Sequence, residues 1–390
     1  MAQENTPLTV LLSGMERTRL KEIALLFLKL GTTAFGGPAA HIAMMRQEVV
    51  IKRNWISEQH FLDLIGATNL IPGPNSTEMA IHIGQERGGW KGLLIGGLCF
   101  IMPAVIITGC FAWLYKTYGQ LPQVQPFIYG IKPAIIAVIL AAIYPLAKKS
   151  LQTVELGIIG IVALALSLLG YSEVFILFGA GFVAMGLAAI RLKKTNTPVF
   201  LLPAFLADNQ NTGFFSPANI SLFLTFLKIG AILYGSGYVL FAFLDSELVA
   251  KGIITRQQLI DAIAVGQFTP GPVFSSVTFI GYQVNGLGGA VISTIGIFLP
   301  SFVFVALLNP LVRKVRTSKL LAAFLNAVNV ASIALIIVVC YQMGKDSLTN
   351  WREIFIAFCS GFLLFRFRST NSALVVLGGS VAGYLLLSVH

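Results

Sequence analysis

Asn69-Leu70-Ile71-Pro72-Gly73-Pro74-Asn75-Ser76-Thr77-Glu78 lies within a long apolar stretch, and its pattern returns as Gln267-Phe268-Thr269-Pro270-Gly271-Pro272-Val273-Phe274-Ser275-Ser276. Proline has no amide hydrogen and clashes with the turn before it, while glycine lets the backbone reverse. Each Pro-Gly-Pro therefore predicts a helix that stops and restarts inside an apolar run. A second break precedes each one, at Phe35-Gly36-Gly37-Pro38 and at Tyr234-Gly235-Ser236-Gly237.

Working outward, the matches keep their order. Phe27-Leu28-Lys29-Leu30-Gly31 pairs with Phe226-Leu227-Lys228-Ile229-Gly230. Glu48, Val50 and Lys52 pair with Glu247, Val249 and Lys251, Asp63 with Asp261, Ile83-Gly84 with Ile280-Gly281, and Pro103 with Pro300. The chain thus reads as an N-terminal segment (1–22), a first repeat (23–192), a linker (193–217) rich in Pro, Asn and Gly, and a second repeat (218–390). Apolar elements are predicted near 23–45, 60–82, 92–115, 126–147, 154–170 and 173–191. The second set falls near 219–244, 258–281, 287–309, 320–343, 352–367 and 371–389.

Composition places these elements in a membrane. The chain of 390 residues is 56% hydrophobic and only 11% charged, whereas a soluble domain carries about a quarter charged residues. Runs of about 20 apolar residues recur, each long enough to cross a bilayer. The expected fold class is an all-α integral membrane protein. Leu8 to Leu12 is too short for a secretory signal and is followed by Glu16, Arg17, Arg19 and Lys21. No HExxH, P-loop or Rossmann pattern is present, and Cys99, Cys110, Cys340 and Cys359 lack metal or disulfide spacing. No cofactor, metal or catalytic residue is expected.

The net charge of +11 sits in short loops, which suits topology better than nucleic-acid binding. In the first half the loops at Lys148-Lys149 and Arg191 to Lys194 are basic, and those near Lys116 and Glu173 are poor. Equivalent loops of the second half show the opposite phase, with Arg313 to Lys319 and Arg366-Arg368 rich. The positive-inside rule then predicts two halves of inverted topology. Inversion needs an odd number of crossings per half, so one element of each six is expected to be broken or re-entrant, leaving about ten full spans. The basic segment Arg17 to Lys21 would then lie outside, against the trend of the internal loops.

A helix restarting after Pro-Gly-Pro presents free amides and the positive end of its dipole, which is an anion site. Candidate binding residues are Gly36, Gly37, Asn69, Pro72, Gly73, Pro74, Asn75 and Ser76 in the first half. Their partners are Gly235, Ser236, Gln267, Thr269, Pro270, Gly271, Pro272 and Ser275 in the second. Lys29 and Lys228 sit at equivalent places in apolar runs and are expected to attract an anion, unless they snorkel to the interface. Glu78 and His82 are one helical turn apart and could relay protons, although their counterparts Ser276 and Ile280 cannot titrate.

These residues carry a resemblance. The chain resembles the two-domain, long-chain type of the chromate ion transporter family over roughly 20–192 and 218–388. The markers are Phe35-Gly36-Gly37-Pro38 with His41, Trp55, Pro72-Gly73-Pro74, Gly84 and Pro103, and then Tyr234-Gly235-Ser236-Gly237, Gln267, Pro270-Gly271-Pro272, Gly281 and Pro300. Ser236 stands where that family usually has glycine. The resemblance implies secondary active export of chromate across the cytoplasmic (inner) membrane, with the multi-pass chain set in the lipid bilayer. Sulfate, a tetrahedral dianion of similar shape, is the implied competitor. A sulfate or other small-anion transporter and a passive anion channel of the same fold are the alternatives, and a homodimer stays open. An intramembrane enzyme lacks a paired acid and nucleophile.

Overall fold

A computed structural model describes residues 8–35, 37–192, 217–235, 237–308, 318–367 and 370–388. The described residues contain helices and turns and no strand. Among the described residues, seven α-helices in each half correspond one to one. The first half holds α1 (Leu8–Thr33), α2 (Gly37–Arg46), α3 (Glu58–Thr68), α4 (Asn75–Tyr118), α5 (Gln125–Ser150), α6 (Val154–Leu168) and α7 (Glu173–Leu192). The second holds α8 (Pro217–Ile232), α9 (Val239–Leu244), α10 (Arg256–Phe268), α11 (Ser276–Leu308), α12 (Lys319–Ser347), α13 (Trp351–Arg366) and α14 (Ser372–Ser388). The expected linker lies outside the described residues apart from Pro217.

The breaks fall where proline and glycine put them. The element expected near 23–45 is α1 and α2 separated after Thr33, and its counterpart is α8 and α9 separated after Ile232. The element expected near 60–82 is α3, a turn through Pro72-Gly73-Pro74, and the start of α4. Gly73 and Gly271 take φ of +135° and +91°, a region that side chains with a Cβ rarely enter.

Each long helix α4 and α11 is itself a hairpin. Gly88 and Gly89 leave the helical region at (−135°, 16°) and (61°, −150°), and Asn285 and Gly286 do so at nearly the same angles, (−140°, 39°) and (58°, −149°). The arms then run back against one another so closely that a Cβ on Gly84 would strike the Gly92 carbonyl, and one on Gly281 would strike that of Gly289. The second descending arm has one residue fewer between its Pro-Gly-Pro and its reversal. It makes up the length with a 3₁₀ turn at Val273–Ser275, which rises about 0.5 Å more per residue than an α-helix.

The arm 75–87 also pairs antiparallel with α3. His60, near the start of α3, lies 3.5 Å from Glu86 at the far end of the arm, so the pair closes at its open end and turns at Gly73. With 11 residues, α3 is about 17 Å long, well short of the ~30 Å hydrocarbon layer. Ser57 caps α3 and Thr255 with Gln258 forms a capping box on α10, at matching positions.

The halves interlock. α5 packs on α13 and α14, and its counterpart α12 packs on α6 and α7, so each half lends its last two helices to the other. Gly130 of α5 meets Gly379 and Gly383 of α14 backbone to backbone, and Gly181 of α7 takes the ring of Phe324 from α12. Outward positions are apolar: Leu94, Leu98, Met102 and Ile106 on α4, and Phe355, Phe358 and Phe362 on α13. An apolar exterior around a packed core is what lipid requires.

Among the described residues, five helices are long and apolar enough to span a membrane by length and composition: Asn75–Tyr118, Gln125–Ser150, Glu173–Arg191, Val273–Leu307 and Lys319–Ser347. Three shorter apolar helices accompany them. This is a count of helices and not of crossings, since two of the five are the hairpins α4 and α11. Several elements that count as apolar runs in the sequence are helices of only 15 to 17 residues, such as α6 and α14.

Candidate functional site

The site is assembled where the tip of each hairpin meets the break of the other half. After the last helical bond of α1, Ala34 N–H to Leu30 O, the Ala34 carbonyl points away from the helix and accepts Gly271 N–H at 3.0 Å. Reciprocally, the Leu233 carbonyl at the end of α8 accepts Gly73 N–H at 2.8 Å. Four equivalent residues thus exchange two hydrogen bonds across the halves. A Cβ on Gly73 would stand 2.6 Å from Ser301 Oγ, and one on Gly271 would stand 2.9 Å from Ala104 Cβ. Ser301 and Ala104 each follow the helix proline of their own half, Pro300 and Pro103.

The first tip is polar. Its prolines and glycine are buried, and Asn75 Nδ2 donates to Asn69 Oδ1 at 2.7 Å, with Asn69 itself exposed. His41 Nε2 donates to the Ala34 carbonyl at 3.1 Å, which fixes the tautomer and leaves Nδ1 to accept from Ser76 Oγ at 3.3 Å. Thr77 and Glu78 turn their amides back to the Pro74 carbonyl. The amides of Asn75 and Ser76 begin the helix and have no acceptor within it.

The second tip is more enclosed. Pro270, Gly271, Pro272 and Ser275 are buried, and Ser275 Oγ accepts from Thr108 Oγ1 of the first half at 3.3 Å. Gln267 is hydrogen-bonded to Tyr238, yet among the described residues its Nε2 has no partner, and neither have Thr269 Oγ1 and Ser276 Oγ. Thr77 Oγ1, Glu78 Oε2 and both ring nitrogens of His82 are in the same condition at the first tip. Buried polar groups are normally satisfied, and the remaining unpartnered ones among the described residues are on Gln85, Arg87 and Ser293 of the same two hairpins.

Gly37 and Gly235 lie at the breaks with φ of +81° and +97°, and Gly235 faces Asn329 and Ser332. Gly36 and Ser236 lie outside the described residues. Lys29 and Lys228 are both engaged in ion pairs. Each is about half exposed, and each ends on a carboxylate, Glu48 at 3.1 Å and Glu247 at 2.6 Å. Lys52 and Arg53 also hold Glu48, and Lys251 also holds Glu247. These clasps pin the π-helical turns Gln47–Lys52 and Asp245–Val249 to α1 and α8. The sequence reading missed Ser301, Thr108 and Tyr238, and it left His41 as a family marker only. Neighbouring prolines and the repeat offset point to Ser301, but nothing local in the sequence points to Thr108.

Among the described residues no group of three or more His, Cys, Asp or Glu side chains is placed to hold a metal ion. Two proline-broken hairpins, each locked into the other half within an all-helical, lipid-faced chain, define a multi-pass membrane transporter of two related halves. The chain belongs to the chromate transporter family, whose pattern matches residues 21–187 and 220–384. It is 31% identical over 375 residues to the chromate transport protein of Cupriavidus metallidurans, covering 93% of this chain and 92% of the relative. The chromate transport protein of Pseudomonas aeruginosa is 30% identical over 379 residues, with 92% and 91% covered. The probable chromate transport protein of Synechococcus elongatus is 31% identical over 339 residues, with 84% and 86% covered. No solved structure matches the chain.

Proposed function

We propose that this chain is a secondary transporter that exports an oxyanion, chromate, across the cytoplasmic membrane by alternating access of its two halves. The observation that carries the reading is the reciprocal pair of bonds, Gly73 to Leu233 and Gly271 to Ala34. It sets two helix starts, with their unspent amides and hydroxyls, at one pseudo-symmetric junction between the halves. An oxyanion needs several donors in a closed shell, and helix starts supply them without full positive charges. The junction is also the place where one half would move against the other.

Inverted topology is part of the proposal. Gly97 packs on Phe302 and Leu93 clusters with Val305, so 90–118 and its counterpart 287–308 pass in opposite directions. Thr108 and Ala112 meet Ser275 and Gln283 in ascending order, as that arrangement requires. The short α3–α4 and α10–α11 hairpins serve as the re-entrant elements that leave an odd number of crossings per half.

The test is counter-transport in proteoliposomes holding purified protein. Labelled chromate should leave faster when unlabelled chromate or sulfate is present on the opposite side. Equal rates with and without opposing anion would identify a passive channel. Stimulation by sulfate alone would make sulfate the substrate.

A further inference from the structure

One carboxylate lies among the unspent groups of the first tip. Glu78 is 0% exposed. Its Oε1 accepts from Ser301 Oγ of the second half at 3.4 Å, and its Oε2 has no partner among the described residues. The side chain curls back along the first turn of α4 until it lies against Gly73, where a Cβ would overlap it. The helix start that would receive an oxyanion therefore already holds a carboxyl group, carried by the same helix. Counted from its own Pro-Gly-Pro, the second tip has Ser276 at this position and needs no such occupant.

A buried carboxylate without a cation is costly, and a second anion in the same closed shell raises that cost steeply. An arriving oxyanion must find Glu78 neutral. We propose that Glu78 is a tethered competitor for the oxyanion position and carries a proton whenever an oxyanion is bound, taking one up wherever the pH has left it charged, so that anion and proton move together. The inference rests on the anion-transport reading. The groups facing Glu78 are few. Among the described residues they are the Ser301 hydroxyl of α11 and Tyr234 at the end of α8, while His82 lies one turn further along the same helix and His41 of α2 bonds the nearby Ser76. His60 of α3 reaches His82 and pairs with Glu86.

Equilibrium dialysis of the purified full chain with labelled chromate and labelled sulfate, between pH 6 and pH 9, tests it. Uptake of one proton per anion predicts that wild-type affinity falls by about tenfold per pH unit in the upper range. Glu78→Gln should bind with affinity flat to about twofold, because no proton is then required. The variant and the wild type share the anion's own titration, so their difference isolates the protein. A variant that keeps the wild-type slope, or a slope that disappears in His82→Gln instead, overturns the proposal. Should Glu78→Gln not fold, Ser301→Ala decides. Removing the hydroxyl that stabilises the carboxylate favours the protonated form and should extend tight binding to higher pH, and an unchanged profile overturns the proposal. Wild-type protein that binds neither anion at any pH would instead overturn the transport reading itself.

Discussion

At the first tip Pro72-Gly73-Pro74 is followed by Asn75, Ser76, Thr77 and Glu78; at the second, Pro270-Gly271-Pro272 is followed by Val273, Phe274, Ser275 and Ser276. The backbones match, down to a positive φ at the central glycine and an amide bond into the opposite half. The chemistry does not. His41 and Ser76 hold each other at the first tip, where the second has Leu240 and Phe274. Thr108 serves Ser275, whereas its counterpart Val305 has no hydroxyl to offer, and Thr77 is left without a partner. A repeated scaffold thus carries one tip with titratable side chains and one tip without them. Symmetry supplies the junction, and the departure from symmetry supplies its chemistry.

The largest effects should come from the tip glycines. Gly271→Ala forces a Cβ at φ +91° onto Ala104 Cβ at 2.9 Å and the Gly31 carbonyl at 3.3 Å, neither of which can rotate aside. It should cost about 3 kcal/mol and abolish transport. Gly73→Ala meets only the side chains of Glu78 and Ser301, which can turn away, and should cost about 1–2 kcal/mol. Thermal unfolding in detergent ranks the two, and equal losses would mean that the tips are mechanically alike.

An intermediate effect separates the hydroxyls. Thr108→Val removes the donor to buried Ser275 and should cost about 1–2 kcal/mol. Thr77→Val removes an unpartnered hydroxyl and should leave stability within about 0.5 kcal/mol, yet weaken anion binding about tenfold. If Thr77→Val destabilises as much as Thr108→Val, the first tip is not held open for a ligand.

The smallest effects belong to the clasps. Lys29→Ala and Lys228→Ala each break a half-exposed ion pair and leave the carboxylate its other basic partner, for about 1 kcal/mol or less. Anion affinity should be unchanged to about twofold. A larger loss of affinity in Lys228→Ala alone would return that lysine to the binding shell.

Much of this was legible in the chain itself. Glycine and proline act locally, through φ and through a missing amide, so the breaks at 34–35, 69–74, 233–235 and 269–272 could be placed without knowing any neighbour. Long apolar runs likewise dictate helices wherever lipid is the solvent, and the predicted elements agree with the observed helices to within a few residues where no break intervenes. The reversals at Gly88-Gly89 and Asn285-Gly286 obey the same chemistry, at the boundaries already drawn between apolar elements.

Only the tertiary structure decided which groups are spent. A lysine in an apolar run reads as costly and functional until the glutamate 19 positions away is seen to neutralise it, as Glu48 does for Lys29 and Glu247 for Lys228. Ser301 and Glu78 are 223 positions apart, and Thr108 and Ser275 are 167 apart, so their partnership depends on how the halves interlock. Backbone preference is written residue by residue. The satisfaction of a buried polar atom is a property of its surroundings, and those exist only once the chain has folded.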